Sequence, residues 1–345
     1  YLTTLRELFN RAPADGDGLL RVSRFDAVTV DNLAAQGASL RGAEGLRELA
    51  ARLQDFSGIA EVTPPPGLRA DLRRYQQTGL NWLQFLREYR FNGILADDMG
   101  LGKTVQTLAH LQIEKDAGRL DKPALVVAPT SLMGNWWREA ERFTPELRVC
   151  ILQGSERHAR FADMAQYDLL LTTYPLLSRD SAHLQAQKYH SVILDEAQAI
   201  KNHRAKMSQL VRQLDADHRL CLTGTPLENH LGELWALYDF LMPGFLGDAQ
   251  AFTRFYRTPI EKHGDHARRQ HLARRVQPFL LRRNKDEVAT ELPPKTEILQ
   301  TVKFDRLQAE LYEGIRVAMD KRVRDAIASQ GLARSHITIL DALLK

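Results

Sequence analysis

The chain spells out an α/β protein in which a parallel sheet is wrapped by helices, and three patterns carry that expectation. Short apolar runs rich in β-branched residues, at 93–96, 124–128, 149–152, 169–172, 192–194 and 219–222, read as strands. Amphipathic stretches of helical period separate them. The runs show no polar alternation, so both strand faces are buried, as happens when crossover helices cover a parallel sheet. Ligands of such sheets sit at the carboxyl ends of the strands, and the polar motifs of this chain fall at those ends.

The first run ends at Ala96 and opens into Asp97-Asp98-Met99-Gly100-Leu101-Gly102-Lys103-Thr104, followed by an amphipathic stretch. Strand, glycine-bearing turn and helix in that order make a phosphate loop. Gly100 and Gly102 let the backbone turn tightly, and the free N–H groups of Met99 to Gly102 with the helix N-terminus present partial positive charge to phosphate. Lys103 is placed to reach the β- and γ-phosphates of a nucleotide, and the Thr104 hydroxyl suits Mg²⁺, a hard cation that takes oxygen ligands. Asp97 stands where the generic loop has its first glycine.

The fifth run ends at Leu194 and passes into Asp195-Glu196. One carboxylate of such a pair holds Mg²⁺ and its neighbour orients and deprotonates an attacking water, so Asp195 takes the first role and Glu196 the second. An acidic pair at a strand end is by itself only a turn preference; its weight comes from Lys103 in the same fold. The sixth run ends at Thr223-Gly224-Thr225, where hydroxyls beside the same crevice are suited to sensing a γ-phosphate.

The remaining segments set the boundaries. Residues 1–62 mix helical periodicity with a Gly/Asp-rich turn and show no chemistry, so they form an accessory segment. Thr63, three prolines and Gly67 make a linker, 63–67. The sheet-bearing lobe then spans 68–292, and 293–345 begins with a strand-like stretch, 295–302, followed by a helical stripe through Phe304, Leu307, Leu311, Ile315 and Ala318. Gly331 is placed to end that helix and Ser335 to cap the next.

Composition narrows the function classes. With 345 residues, 44% hydrophobic and 26% charged, the chain can bury a large core. Its apolar runs fall far short of the roughly 20 residues of a membrane helix, so no membrane partner is expected. It opens at Tyr1 without a leader, which reads as a piece of a longer, cytoplasmic protein. Cys150 and Cys221 lie in strand-like runs and read as reduced core thiols. The net charge of +4 is too small to argue for nucleic acid. Its distribution says more: 262–285 carries eight Lys or Arg against Asp265 alone, ending at Arg282, Arg283 and Lys285.

These blocks in this order resemble the first motor lobe of the Swi/Snf-type ATPases, a branch of helicase superfamily two. The resemblance runs from about residue 68 to the end, on Leu72 to Leu83, Asp97 to Thr104, Asp195 to Asn202, Leu222 to Asn229, Leu234-Trp235 and Phe279 to Lys285. It implies a RecA-like lobe that binds ATP and Mg²⁺ and belongs to a DNA-stimulated ATPase that translocates on double-stranded DNA. Gln76 would then pair with adenine, which a side-chain amide is able to do. Gln198, where the family usually has His, would link the acid pair to Thr223, Gly224 and Thr225 in coupling. Thr130, Thr172 and Lys201 would face the DNA track with Arg282 and Arg283, contacting phosphates without reading sequence. Nothing after Lys285 resembles the second motor lobe, whose arginines complete the site, so the chain is expected to turn ATP over slowly. Two other readings compete: a nucleotide-gated DNA- or protein-binding module with little turnover, and a small-molecule kinase, which leaves Tyr75 to Leu83 and Thr223 to Asn229 without a use.

Overall fold

The computed structural model describes residues 58–225, 230–288, 301, 303–331 and 335–344, with residues 30, 45 and 46. Seven parallel strands form one sheet in the order β3-β4-β2-β5-β6-β1-β7. They are β1 (Gly93–Leu95), β2 (Ala124–Ala128), β3 (Val149–Ile151), β4 (Leu169–Thr173), β5 (Lys188–Asp195), β6 (Asp215–Leu222) and β7 (Leu280–Leu281). Every residue of β1, β2 and β4 is buried, so helices cover both faces, the arrangement that continuous apolar strands require.

The principal covering helices are α1 (Arg74–Glu88), α2 (Lys103–Asp116), α3 (Met133–Phe143), α4 (Tyr174–Arg179), α5 (Ser181–Ala186), α6 (Lys206–Arg212), α7 (Leu231–Leu241) and α8 (His266–Val276). Their apolar stripes close one core. Trp82 and Leu86 of α1, Leu108 and Leu111 of α2, Trp136 of α3 and Phe240 of α7 all meet the sheet there. Between α7 and α8 a helical stretch contains a π-helical segment, Thr253–Arg257.

Register decides which loops become neighbours. Asp195 on β5 lies abreast of Leu222 on β6, and Leu222 abreast of Leu95 on β1. Three strands therefore deliver their carboxyl ends side by side. The pairing continues past the sheet: Ala96 N–H donates to Leu281 O at 2.7 Å and Asp98 N–H to Arg283 O at 3.0 Å. The chain leaving β7 thus runs along the loop leaving β1.

The strands β5 and β6 start earlier than their apolar runs, at Lys188 and Asp215. Lys188, Asp215 and Asp217 are exposed at that end of the sheet, where Lys122 pairs with Asp217 at 2.6 Å, whereas Tyr189, His190 and Ser191 of β5 are buried. The short β7 pairs only with β1 and was not marked by an apolar run of its own. Cys150 and Cys221 are buried, free thiols.

On either side of the expected linker the chain is held on the lobe: Val62 N–H donates to Asn81 Oδ1 at 3.1 Å, and Arg69 N–H to Phe143 O at 2.8 Å. Residues 1–290 form one compact unit and 291–345 another. The second holds α9 (Arg306–Gln330) and α10 (His336–Leu344). Asp305 caps α9, its carboxylate accepting the Gln308 N–H, and Gly331 ends it at φ 77°. The Ser335 hydroxyl, expected to cap α10, instead donates to Gly331 O at 2.9 Å. The accessory segment, apart from residues 30, 45, 46 and 58–62, and the expected strand 295–302, apart from residue 301, lie outside the described residues, as do Pro226 to Asn229. Among the described residues no helix is long and apolar enough to cross a membrane.

Candidate active site

The loop after β1 enters α2 through Gly100 and Gly102 at φ 85° and 79°, left-handed conformations that a side chain resists. Gly102 also leaves room for Gln76 of α1, whose amide nitrogen would lie 2.5 Å from a Cβ placed there. Gln76 Nε2 donates to Leu101 O at 3.2 Å, so its amide rests on the loop. Lys103 folds over the same loop, its ammonium donating to Asp97 O at 2.7 Å and Asp98 O at 3.4 Å. Thr104 follows in the first turn of α2 and is partly exposed. Met99 is exposed and lies against Gly224, a Cβ on which would sit 3.5 Å from Met99 Cγ.

Asp195 ends β5 nearly buried, and its environment is built. One carboxylate oxygen accepts the indole N–H of Trp136 at 2.8 Å and the other the Glu196 N–H at 2.9 Å. The Tyr174 hydroxyl donates to Asp195 O at 2.7 Å, fixing the backbone as well. Burial pushes the Asp195 carboxyl above its ordinary range against the pull of Trp136, the Glu196 N–H and Lys103. Glu196 has φ 48° and ψ 55°, a left-handed conformation that costs a residue with a Cβ free energy and clusters at functional sites.

A continuous hydrogen-bonded path leads from this acid to the loop after β6. Gln198 Nε2 donates to Glu196 Oε2 at 2.8 Å, the Thr223 hydroxyl donates to Gln198 Oε1 at 2.9 Å, and Thr225 N–H donates to the Thr223 hydroxyl at 3.0 Å. Thr223 N–H in turn donates to Leu95 O at 3.2 Å, at the root of the phosphate loop. Electrostatics joins the same groups. Burial lowers the Lys103 ammonium from its ordinary value, opposed first by Glu196, then by Asp195, Asp97 and Asp98. One ammonium and two carboxylates thus share one field.

The residues expected along a DNA track separate into two sets. Thr130, just past β2, Lys201 and Arg282 are exposed, and Lys201 lies 4.0 Å from Glu233. Thr172 is fully buried in β4, so its side chain is not at the surface. Arg283 turns inward. Its guanidinium grips both oxygens of the fully buried Asp97, the Nε bond being 2.8 Å, and donates to Gln106 Oε1 at 2.9 Å and to the carbonyl of Tyr75. With its donors engaged by Asp97, Gln106 and Tyr75, Arg283 braces the phosphate loop from behind, and a place on an exposed track does not fit it.

Sequence reasoning missed the supporting partners. Asp97 looked like a substituted glycine, and its use as the counter-charge of Arg283, 186 positions away, has no local signature. Trp136 lies in the first turn of α3, and nothing in the sequence tied its indole to Asp195.

Comparison with known proteins accords with this geometry. A family profile described as SNF2-related domain matches residues 75–345. The putative ATP-dependent helicase/translocase YwqA of Bacillus subtilis is 41% identical over 293 residues, covering 84% of this chain and 32% of the relative. The ISWI chromatin-remodeling complex ATPase ISW1 of Saccharomyces cerevisiae is 35% identical over 81% of this chain and 25% of its own length. The Sulfolobus solfataricus SWI2/SNF2 ATPase core in complex with dsDNA superposes with a TM-score of 0.64 at 35% identity, covering 83% of this chain and 59% of that one. The chain therefore spans a third or less of these two curated relatives. With the profile match covering most of its length and its strand ends arranged as above, the chain belongs to the SNF2-related domain family.

Proposed function

We propose that this chain is the ATP-binding lobe of a motor that hydrolyses ATP and translocates on double-stranded DNA. The observation that carries the reading is the meeting of Lys103, Asp195 and Glu196, at the ends of the two strands that flank β6, within one electrostatic field. Lys103 exchanges the carbonyls of Asp97 and Asp98 for phosphate oxygens, Gln76 pairs with the adenine, and Glu196 takes the proton of the attacking water. Thr104 and Asp195 offer hard oxygen donors that fit Mg²⁺, and Trp136 holds the Asp195 carboxylate in one orientation. When bound, that ion neutralises phosphate charge.

Gln198 occupies the coupling position: whatever alters the hydrogen bonding of Glu196 reaches Thr223 through its amide. Thr130, Lys201 and Arg282 are the exposed candidates for phosphate contacts along the duplex, which position a motor without reading bases. The chain covers 59% of the solved core, and we assign to the second lobe an arginine that stabilises the transferring phosphoryl group, an effect of about 10³ to 10⁵ in rate. The lobe by itself is then a slow ATPase. The relative named as a helicase/translocase and the solved core bound to dsDNA support the same reading.

Phosphate release by the full-length protein, measured with and without duplex DNA, tests the proposal. Duplex DNA is expected to raise the rate severalfold or more; equal rates contradict a DNA-stimulated motor.

A further inference from the structure

The segment that leaves β7 brings a second ammonium to the phosphate loop. Asp98 holds this segment at two points, its N–H donating to Arg283 O at 3.0 Å and its carboxylate accepting the Lys285 N–H at 3.0 Å. The second bond matters for the side chain. Because Asp98 takes the main-chain N–H of Lys285, the ammonium is carried past that carboxylate and over the loop. It stops at Gly100: a Cβ placed there would lie 3.5 Å from Lys285 Nζ and 3.6 Å from its Cε. Lys285 is exposed, and among the described residues its ammonium makes no ion pair.

Gly100 is the middle of the loop, at φ 85°. Among the described residues neither Met99 nor Gly100 donates its N–H to a main-chain carbonyl, so these donors stand open beside the Lys285 ammonium. Among the described residues no acceptor explains the position of this cation beside Gly100. A triphosphate has the charge to match it.

We propose that Lys285 is a second cationic ligand of the triphosphate, gripping from the β7 side the oxygens that Lys103 grips from α2. The inference rests on the nucleotide site proposed above and adds to it a residue supplied from outside the phosphate loop and the acid pair. Because Asp98 and Arg283 fix the backbone of Lys285, its contact is part of the binding surface before nucleotide arrives, and it discriminates by phosphate number: ATP reaches Gly100 with its outer phosphates and AMP does not.

The test compares ATP and AMP affinities of the full-length protein carrying Lys285→Ala, Lys285→Arg or Lys103→Ala, by titration with fluorescent nucleotide. Lys285→Ala is expected to weaken ATP about 10- to 100-fold, the range of one charge-assisted hydrogen bond, while leaving AMP binding unchanged. Lys285→Arg keeps most of the ATP affinity. If Lys285→Ala binds ATP like the wild type while Lys103→Ala does not, the role of Lys285 is overturned and the nucleotide site stands. If Lys285→Ala weakens ATP and AMP equally, its effect is not phosphate recognition and the inference is likewise overturned. If Lys103→Ala also leaves ATP binding intact, the nucleotide site itself is misplaced.

Discussion

Asp195 shows how a single side chain is held in a state the fold disfavours. Its carboxyl is buried, and burial raises its pKa despite the Trp136 and Glu196 donors. The sign of the stability effect follows: a carboxyl raised in the folded chain binds its proton more readily there than when unfolded, so the ionised form costs stability at neutral pH and the cost is relieved as pH falls. Asp195→Asn removes that charge while leaving an oxygen for the Trp136 indole. In the nucleotide-free protein this variant is expected to melt at or above the wild-type temperature, by about 2–4 °C for each kcal/mol regained, and to lose ATP hydrolysis. A lower melting temperature in a thermal scan would show that the ionised carboxylate is a net structural asset. Lys103 belongs to the same class, since burial lowers its ammonium against four neighbouring acids. Glu196, in a left-handed conformation, adds backbone strain at the adjacent position.

At the scale of elements, α1, α2, β5 and β6 enclose a second buried polar cluster, at the end of the sheet away from the phosphate loop. His110 faces Glu114, His190, His218 and Arg87; His218 faces His190, Glu114, Asp217 and Arg87; His190 faces Glu114, Asp217, Asp121 and Lys122. Burial pushes His110 down to about 3 and His218 to about 4, from an ordinary 6.5. A histidine with a depressed folded pKa binds fewer protons folded than unfolded, so stability present above pH 6.5 is lost as pH falls toward those values. Glu114, hydrogen-bonded by Arg119 and Gln84, is lowered to about 2 from 4.5, and its contribution is lost across that range, which overlaps the lower part of the histidine window. Thermal denaturation between pH 7.5 and 4 is expected to show a steep fall in melting temperature below about 6.5, flattened by His218→Asn; a profile level from pH 7 to 4.5 contradicts the burial of neutral imidazoles. This cluster was not legible in the sequence, because three histidines spread over 110–218 come together only through the pairing of β5 with β6 and the packing of α2 against them. The strands themselves were legible wherever both faces are buried, as in 124–128, and illegible where β5 and β6 begin with Lys188 and Asp215 in solvent.

For the molecule as a whole, parallel pairing turns a linear order of motifs into a site. The phosphate loop at Lys103, the acid pair at Asp195 and the loop at Thr223 are far apart in sequence, yet they leave β1, β5 and β6 at the same edge in adjacent strands. That convergence could be anticipated from the residue types alone, since apolar strands ending in Gly, Lys, Asp and Thr imply one ligand edge. What orients the groups could not: Trp136 on Asp195, Arg283 on Asp97 and the amide of Gln198 between Glu196 and Thr223 are pairings of distant or flexible side chains. If this edge hydrolyses ATP with Glu196 as the base, as proposed, the rate of phosphate release by full-length Glu196→Gln at saturating ATP and duplex DNA, beside its affinity for ATP, reads that role directly. The variant is expected to bind ATP about as well as the wild type and to hydrolyse it more slowly by about 10² to 10⁴, the contribution of a general base; hydrolysis at the wild-type rate would rule Glu196 out as the base.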